Sequence, residues 1–357
     1  MKKILIFASR TGGGHISLAE AIRDQTQKKY EVEIIDPQPG IVHLHYRTVS
    51  RHALWLWEAE FKLSDGTKRA RVAHEVAKNT LVIPIARAIR HARPDLIIST
   101  YPFLTSEVLF AMRIFRIQRP FAMLFSDPNG VHRAWLTEKR AHATFAPTRE
   151  TYEQALASGF DPARTHFTGW PVRGQFYHAT PIPLSRLNLN PKRFTVFLQG
   201  GGEGAARFSH TVENLLDIEG LQVILATGTN HRLFRQFQER DNIHALPFTR
   251  EIAPYIAASD VVMGKAGPNM LFESIALGKP FIATAYIPGQ EEVNLEFIQR
   301  HGLGWVALLT SEQGGLLKQL SASPEMLRDK KQSVENYRCT NQEATDTILP
   351  LIDSLAQ

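Results

Sequence analysis

Short apolar runs alternate with longer stretches of helical periodicity along nearly the whole chain, an order that predicts strand, helix, strand units around parallel sheets. In the first half the runs predict strands near 3–8, 31–35, 95–99, 120–125, 143–146 and 165–168. In the second half "RFTVFLQ", "LQVILAT", "IHAL", "DVVM", "PFIAT" and "GWVA" repeat the scheme. Between the two sets lies "HATPIPLSRLNLNPKRF", residues 178–194, whose three prolines and weak periodicity predict a linker. The expected organisation is a first domain over 1–175, a linker over 176–192, a second domain over 193–335 and a C-terminal helix over 336–357 that packs back on the first domain. Residues 40–66, "GIVHLHYRTVSRHALWLWEAEFKLSDG", break the regularity: they are rich in aromatic, histidine and arginine residues where a short connection would suffice. They predict a helical elaboration carrying Trp55 and Trp57.

Composition supports two domains and narrows the setting. At 357 residues the chain is long for one hydrophobic core. No apolar run reaches the ~18 residues that a membrane-spanning helix needs, and the opening "MKKILIFASRTGGG" passes from a short apolar run straight into a turn, as a first strand does and a signal peptide does not. Cys339 is the only cysteine, which excludes an internal disulfide or a cysteine zinc site and suits a reducing cytoplasm. Charge is unevenly divided: residues 1–175 hold 25 Lys+Arg against 16 Asp+Glu (+9), and the remainder 16 against 19 (−3). A basic first half suits an anionic partner, whether lipid headgroups, nucleic acid or an acidic substrate, and equally a solvated basic surface. No nucleic-acid motif accompanies it, so no nucleic-acid partner is expected. The expected location is cytoplasmic, peripheral on the inner face of the cell membrane.

Each half opens on a strand, three glycines and a helix: "ILIFASRTGGGHISLAEAI" from residue 4 and "VFLQGGGEGAARF" from residue 196. Glycines let backbone amides approach a ligand, and the helix that follows supplies free N–H groups with partial positive charge, so each loop is suited to an anion or to a purely structural turn. Neither loop matches a dinucleotide or P-loop fingerprint. His15 stands at the mouth of the first loop, where an imidazole either removes a proton from an attacking hydroxyl or merely bonds the turn. Residues 258–294, "ASDVVMGKAGPNMLFESIALGKPFIATAYIPGQEEVN", carry the densest chemistry. Gly264 and Gly267 free amides for a diphosphate, Pro268 suits a first helical turn, Glu273 has the reach for ribose hydroxyls, and Gln290 with Glu291 offers hydrogen-bonding groups to a sugar.

Taken together, these segments resemble glycosyltransferases of the GT-B fold, α/β proteins with two facing Rossmann-like domains, parallel sheets and an interdomain cleft. Within them the chain is similar to the monogalactosyldiacylglycerol synthase and processive diacylglycerol glucosyltransferase family. "TGGGHISLAEAI", "SDPNGVHRAW", "TGWPVR", "GGGEG" and "KAGPNMLFES…PGQEEVN" occur in the family's order. The resemblance implies that His15 is the catalytic base, and that Gly14, Arg173, Gly201, Gly202, Phe248, Gly267, Glu273, Gly289, Gln290 and Glu291 bind a UDP-sugar donor. Among these, Arg173 and the backbone at Gly201 and Gly202 would hold the diphosphate, Phe248 would flank the base, Glu273 the ribose, and Gln290 with Glu291 the transferred sugar. Asp127, His132 and Trp135 would stand on the acceptor side. The implied activity is inverting, metal-independent hexosyl transfer to an alcohol, a lipid such as diacylglycerol, with no cofactor besides the donor. The absence of any Asp-x-Asp fits metal independence. Ser126 before Asp127, the "PNG" after it and Trp170 depart from the lipid-branch pattern and bear on the acceptor. A UDP-sugar epimerase of the same fold, or a transferase with a soluble acceptor, is the alternative.

Overall fold

The computed structural model describes residues 1–11, 13–199 and 207–357. They form two compact units, one of Met1–Gly174 with Pro288–Gln290 and Thr340–Gln357, the other of Gln175–Ile287 with Glu291–Cys339. The first unit contains β1 (Lys2–Phe7), β2 (Tyr30–Ile35), β3 (Leu96–Ser99), β4 (Phe121–Leu124), β5 (Ala143–Ala146) and β6 (Thr165–Phe167), in the order β2-β1-β3-β4-β5-β6. The second contains β7 (Phe194–Gln199), β8 (Leu221–Gly228), β9 (Ile243–Pro247), β10 (Val261–Lys265), β11 (Phe281–Ala285) and β12 (Gly304–Val306), in the order β12-β11-β10-β7-β8-β9. Every pairing is parallel.

The twelve strands fall on the twelve runs read from the sequence, for a physical reason. Helices cover both faces of a parallel sheet, so its inner strands are apolar at every position. Every residue of β3, β4 and β5 is buried, whereas the edge strand β2, "YEVEII", exposes alternate residues. Leu5, Phe7, Ile97, Phe121, Met123, Phe125 and Trp135 centre the first core, packed under Ile85 and Ile89 of the helix Thr67–Ala92. Val196, Leu198, Val223, Leu225, Met263 and Phe237 centre the second.

The bounds of the linker and of the C-terminal helix differ from those read from the sequence. Residues 176–192, expected as a linker, belong to the second unit: Phe176, Leu187 and Leu189 are buried, and Asn190 exchanges hydrogen bonds with Gln222 in β8. The prolines there reflect irregular backbone rather than freedom from packing. The long helix Pro324–Thr345 divides between the units, with residues from Thr340 onward in the first. There Asn341 clamps the backbone of Trp170, accepting from its N–H at 2.7 Å and donating to its carbonyl at 3.0 Å. Asp353, on the terminal helix Ile348–Leu355, accepts from Tyr30 Oη at 2.7 Å and from Lys29 Nζ at 2.8 Å.

The elaboration forms two helices, Gly40–His52 and Leu54–Ser64, which lead into Thr67–Ala92. Its two tryptophans part company. Trp57 is half-buried, edge-on to Tyr46 at 5.0 Å between ring centroids, whereas Trp55 is 73% exposed.

Candidate active site

Ligands of open α/β sheets sit beyond the carboxyl ends of strands where the strand order reverses. In the first unit that point lies between β1 and β3, and His15 stands there. Gly13, at φ +74°, makes the left-handed turn that starts the helix Gly14–Thr26, and His15 is that helix's second residue. Two bonds tie it to the residue after β3: its Nδ1 lies 2.8 Å from the Thr100 carbonyl, and the Thr100 hydroxyl donates to the His15 carbonyl at 3.0 Å. A carbonyl only accepts, so the imidazole proton sits on Nδ1 and Nε2 carries the lone pair. Burial lowers the His15 pKa to about 4, with the Thr100 bond acting against it, so the ring is neutral at neutral pH.

A chain of ring contacts runs from His15 to the residues expected on the acceptor side. Tyr101 meets His15 edge-on at 4.7 Å, and Phe103 lies 5.9 Å from Tyr101 and 5.8 Å from His132. Phe61, from the elaboration, packs at 4.9 Å on the other side of His132. The His132 backbone N–H points at Asp127 Oδ2 at 3.4 Å, and its Nδ1 accepts from the Ala134 N–H at 3.2 Å. Burial raises the Asp127 pKa to about 6, opposed by the His132 N–H and the Trp135 indole, and lowers that of His132 to about 4, opposed by Asp65. Trp135 is fully buried against Phe125, their centroids 5.4 Å apart, so it shapes the wall from behind. His15, Asp127, His132 and Trp135 thus form one contiguous cluster in the first unit.

The residues expected at the donor divide. Gly14, Arg173, Gly289 and Gln290 belong to the first unit; Phe248, Gly267, Glu273 and Glu291 belong to the second; Gly201 and Gly202 lie outside the described residues. In the second unit the strand order reverses between β7 and β10. A Cβ on Gly264 would fall 2.5 Å from the Gln199 carbonyl oxygen, so glycine is what allows those strand ends to approach. Gly267 caps the helix Pro268–Ala276, which has no acidic residue in its first turn and carries Glu273 buried on its second. Phe248 follows β9 and is 66% exposed, while its N–H donates to the Gly228 carbonyl at 3.0 Å. Gln290 keeps an amide oxygen with no hydrogen-bond partner among the described residues. Glu291 has both carboxylate oxygens engaged: one is ion-paired with Lys265 and the other accepts the Ile287 N–H at 2.8 Å.

Sequence reading missed Thr100, Tyr101, Phe103 and a buried pair beneath them. His74 Nδ1 lies 2.7 Å from Glu107 Oε1 and its Nε2 3.3 Å from the Ala134 carbonyl, with Phe103 at 5.3 Å. "YPF" after a strand, and a histidine and a glutamate on separate helices, leave no local pattern to find.

Both halves of the chain are similar to known proteins. Residues 15–172 match the family model described as monogalactosyldiacylglycerol (MGDG) synthase, and residues 195–348 match the glycosyltransferase family 28 C-terminal domain. The chain has the GT-B fold, and it resembles the monogalactosyldiacylglycerol synthases and the family 28 glycosyltransferases. It is 28% identical over 334 residues to a probable chloroplastic monogalactosyldiacylglycerol synthase of Nicotiana tabacum, an alignment covering 85% of this chain and 61% of the relative. The chain therefore spans about three fifths of that relative's length. The glycotransferase of kitacinnamycin has the same fold, with TM-score 0.66 at 12% identity over 100% of this chain and 99% of that one. So has Anabaena Alr3699/HepE, solved in complex with UDP-glucose, with TM-score 0.60 at 15% identity over 99% and 100%.

Proposed function

We propose that this glycosyltransferase moves a hexose from a UDP-sugar to the hydroxyl of a lipid acceptor such as diacylglycerol, with inversion, without a metal ion and with no cofactor besides the donor. The observation that carries the reading is His15, held at the switch point of the first unit with its proton on Nδ1 and, among the described residues, no partner on its Nε2 lone pair. The first unit takes the acceptor. As the acceptor oxygen bonds to the anomeric carbon, its proton passes to Nε2, and the electron pair of the breaking C1–O bond goes to the diphosphate. The second unit takes the nucleotide: Phe248 flanks the base, Glu273 meets the ribose, and the amides at Gly267 face the diphosphate. Gln290 is assigned to the hexose hydroxyls, and Arg173 to the charge of the leaving group.

A thermal-shift screen of UDP-glucose, UDP-galactose and UDP-N-acetylglucosamine tests the donor. One of them should raise the melting temperature in a concentration-dependent way, because a ligand of the folded state stabilises it. Phe248→Ala should weaken uridine about tenfold, the loss expected for a stacked base. Incubation with the donor alone should release UDP slowly; conversion to a different sugar would make the protein an epimerase instead.

Lipid as the acceptor class is supported by the surface of the first unit. Trp55, Ile41, Leu44, Val72, Val76 and Ile83, all on the three helices of residues 40–92, are exposed, and so are Lys62, Lys68, Arg69 and Arg71 on the same helices. Val72, Val76 and Ile83 share one face of the third helix by their spacing. No described helix is long and apolar enough to cross a membrane, so contact with the bilayer would be peripheral, on the anionic cytoplasmic leaflet. In flotation with anionic vesicles the protein should rise with the lipid at low salt, and Trp55→Ala with Val76→Ser should reduce the bound fraction severalfold. A wild-type protein that stays at the bottom under these conditions removes the membrane from the proposal.

A further inference from the structure

Lys265 is the last residue of β10, at the switch point of the second unit. Its ammonium is paired with Glu291, and the pair sits against the helix start: a Cβ on Gly267 would lie 3.5 Å from Glu291 Oε1 and 3.6 Å from Lys265 Nζ. The two partners are unequally placed. The Glu291 side chain is 6% exposed and fixed from behind by the Ile287 N–H, whereas the Lys265 side chain is 31% exposed. Asn294, also buried, braces the same turn by donating to the Ala266 carbonyl at 2.8 Å, and its own Oδ1 has no partner among the described residues. An ammonium has three donors, and Glu291 is the one partner Lys265 has among the described residues.

A rigidly backed carboxylate, a partly exposed lysine and a helix N-terminus free of acidic residues make a site whose outward charge is positive. We propose that Lys265 binds the diphosphate of the nucleotide donor, and that Glu291 is a positioning residue, holding the ammonium against Gly267 rather than touching the sugar. This rests on reading the second unit as the donor unit. Sugar hydroxyls need acceptors as well as donors, and Lys265 supplies none, while a phosphate uses a point charge with donors fully. The pairing also sets affinity. Glu291 competes for the ammonium, so the site holds a diphosphate without trapping the UDP that leaves with an added negative charge.

Calorimetric titration of uridine and UDP into wild type, K265Q, E291Q and K265Q/E291Q tests the assignment. Uridine affinity should be the same in all four, since it reports the base and ribose contacts. UDP should bind about tenfold or more weakly to K265Q and to the double variant, the loss expected for a charge-assisted bond. The double variant removes both charges together, so it stays informative where K265Q leaves Glu291 buried and unpaired. E291Q keeps an oxygen for the Ile287 N–H and should bind UDP severalfold more tightly than wild type. UDP affinity equal to wild type in a Lys265 variant that still binds uridine overturns the diphosphate assignment. Equal weakening of uridine and UDP in E291Q overturns the positioning role. A wild type that binds neither ligand refutes the donor reading itself, a separate failure.

Discussion

Replacing His15 with alanine should lower the rate of sugar transfer by about 10²- to 10⁴-fold, the range for loss of a positioned general base. Donor binding, measured by the thermal shift with UDP-sugar, should be unchanged. The argument starts at Thr100, whose carbonyl can only accept and therefore keeps the proton on Nδ1. With the tautomer fixed, Nε2 is a base without any reorganisation. Its weakness in the free protein, with a pKa of about 4, is a consequence of burial. In the proposed transfer, negative charge on the departing diphosphate would raise the ring's proton affinity. The pH dependence follows. Transfer should not fall at the ordinary histidine value near 6.5; the limb belonging to His15 lies near 4. Stability has the same sign: between about 4 and 6.5 the unfolded chain binds the proton that folded His15 refuses. This contribution is complete above 6.5 and is lost as pH falls toward 4. Transfer that proceeds at the wild-type rate in His15→Ala, with the donor bound, would remove the histidine from the chemistry.

What could be read beforehand was whatever leaves a local trace. Parallel strands buried on both faces write themselves as uninterrupted apolar runs, and a glycine turn between strand and helix is a contiguous pattern, so β1 to β12 and the His15 loop were visible. Asp127, His132 and Trp135 stood out only through the family resemblance of "SDPNGVHRAW". Tertiary assembly leaves no such trace. Lys265 and Glu291 are 26 positions apart and His74 and Glu107 are 33 apart, and each pair exists only because two elements meet. Helical periodicity runs unbroken through Pro324–Thr345, so nothing in it marks Thr340 as the residue where the helix joins the first unit. Nor does spacing separate Trp57, against Tyr46, from Trp55, facing solvent.

The His74–Glu107 pair should prove the most stability-critical polar contact in the first unit. His74 is 2% exposed and Glu107 wholly buried, on helices Thr67–Ala92 and Thr105–Ile114. Both ring nitrogens of His74 face acceptors, Glu107 Oε1 and the Ala134 carbonyl, so one proton resides on Nε2 and a second between Nδ1 and the carboxyl. Burial pushes the Glu107 pKa up and His74 pulls it back, while its other oxygen has no partner among the described residues. His74→Ala should therefore cost about 3 to 5 kcal/mol in urea unfolding, as expected when a buried charge loses its counterpart. The loss should be larger at pH 8 than at pH 5. Without His74 the folded carboxyl holds its proton more tightly than the unfolded one, so stability declines as pH rises above the unfolded value. Replacing both residues with leucine should restore much of the loss, because no charge is then stranded. Function should follow, since His74 also holds the Ala134 carbonyl between His132 and Trp135. Partial loosening there, as in His74→Gln, should raise the acceptor KM and leave donor affinity unchanged. A His74→Ala cost below about 1 kcal/mol at both pH values would mean that the pair carries no such load.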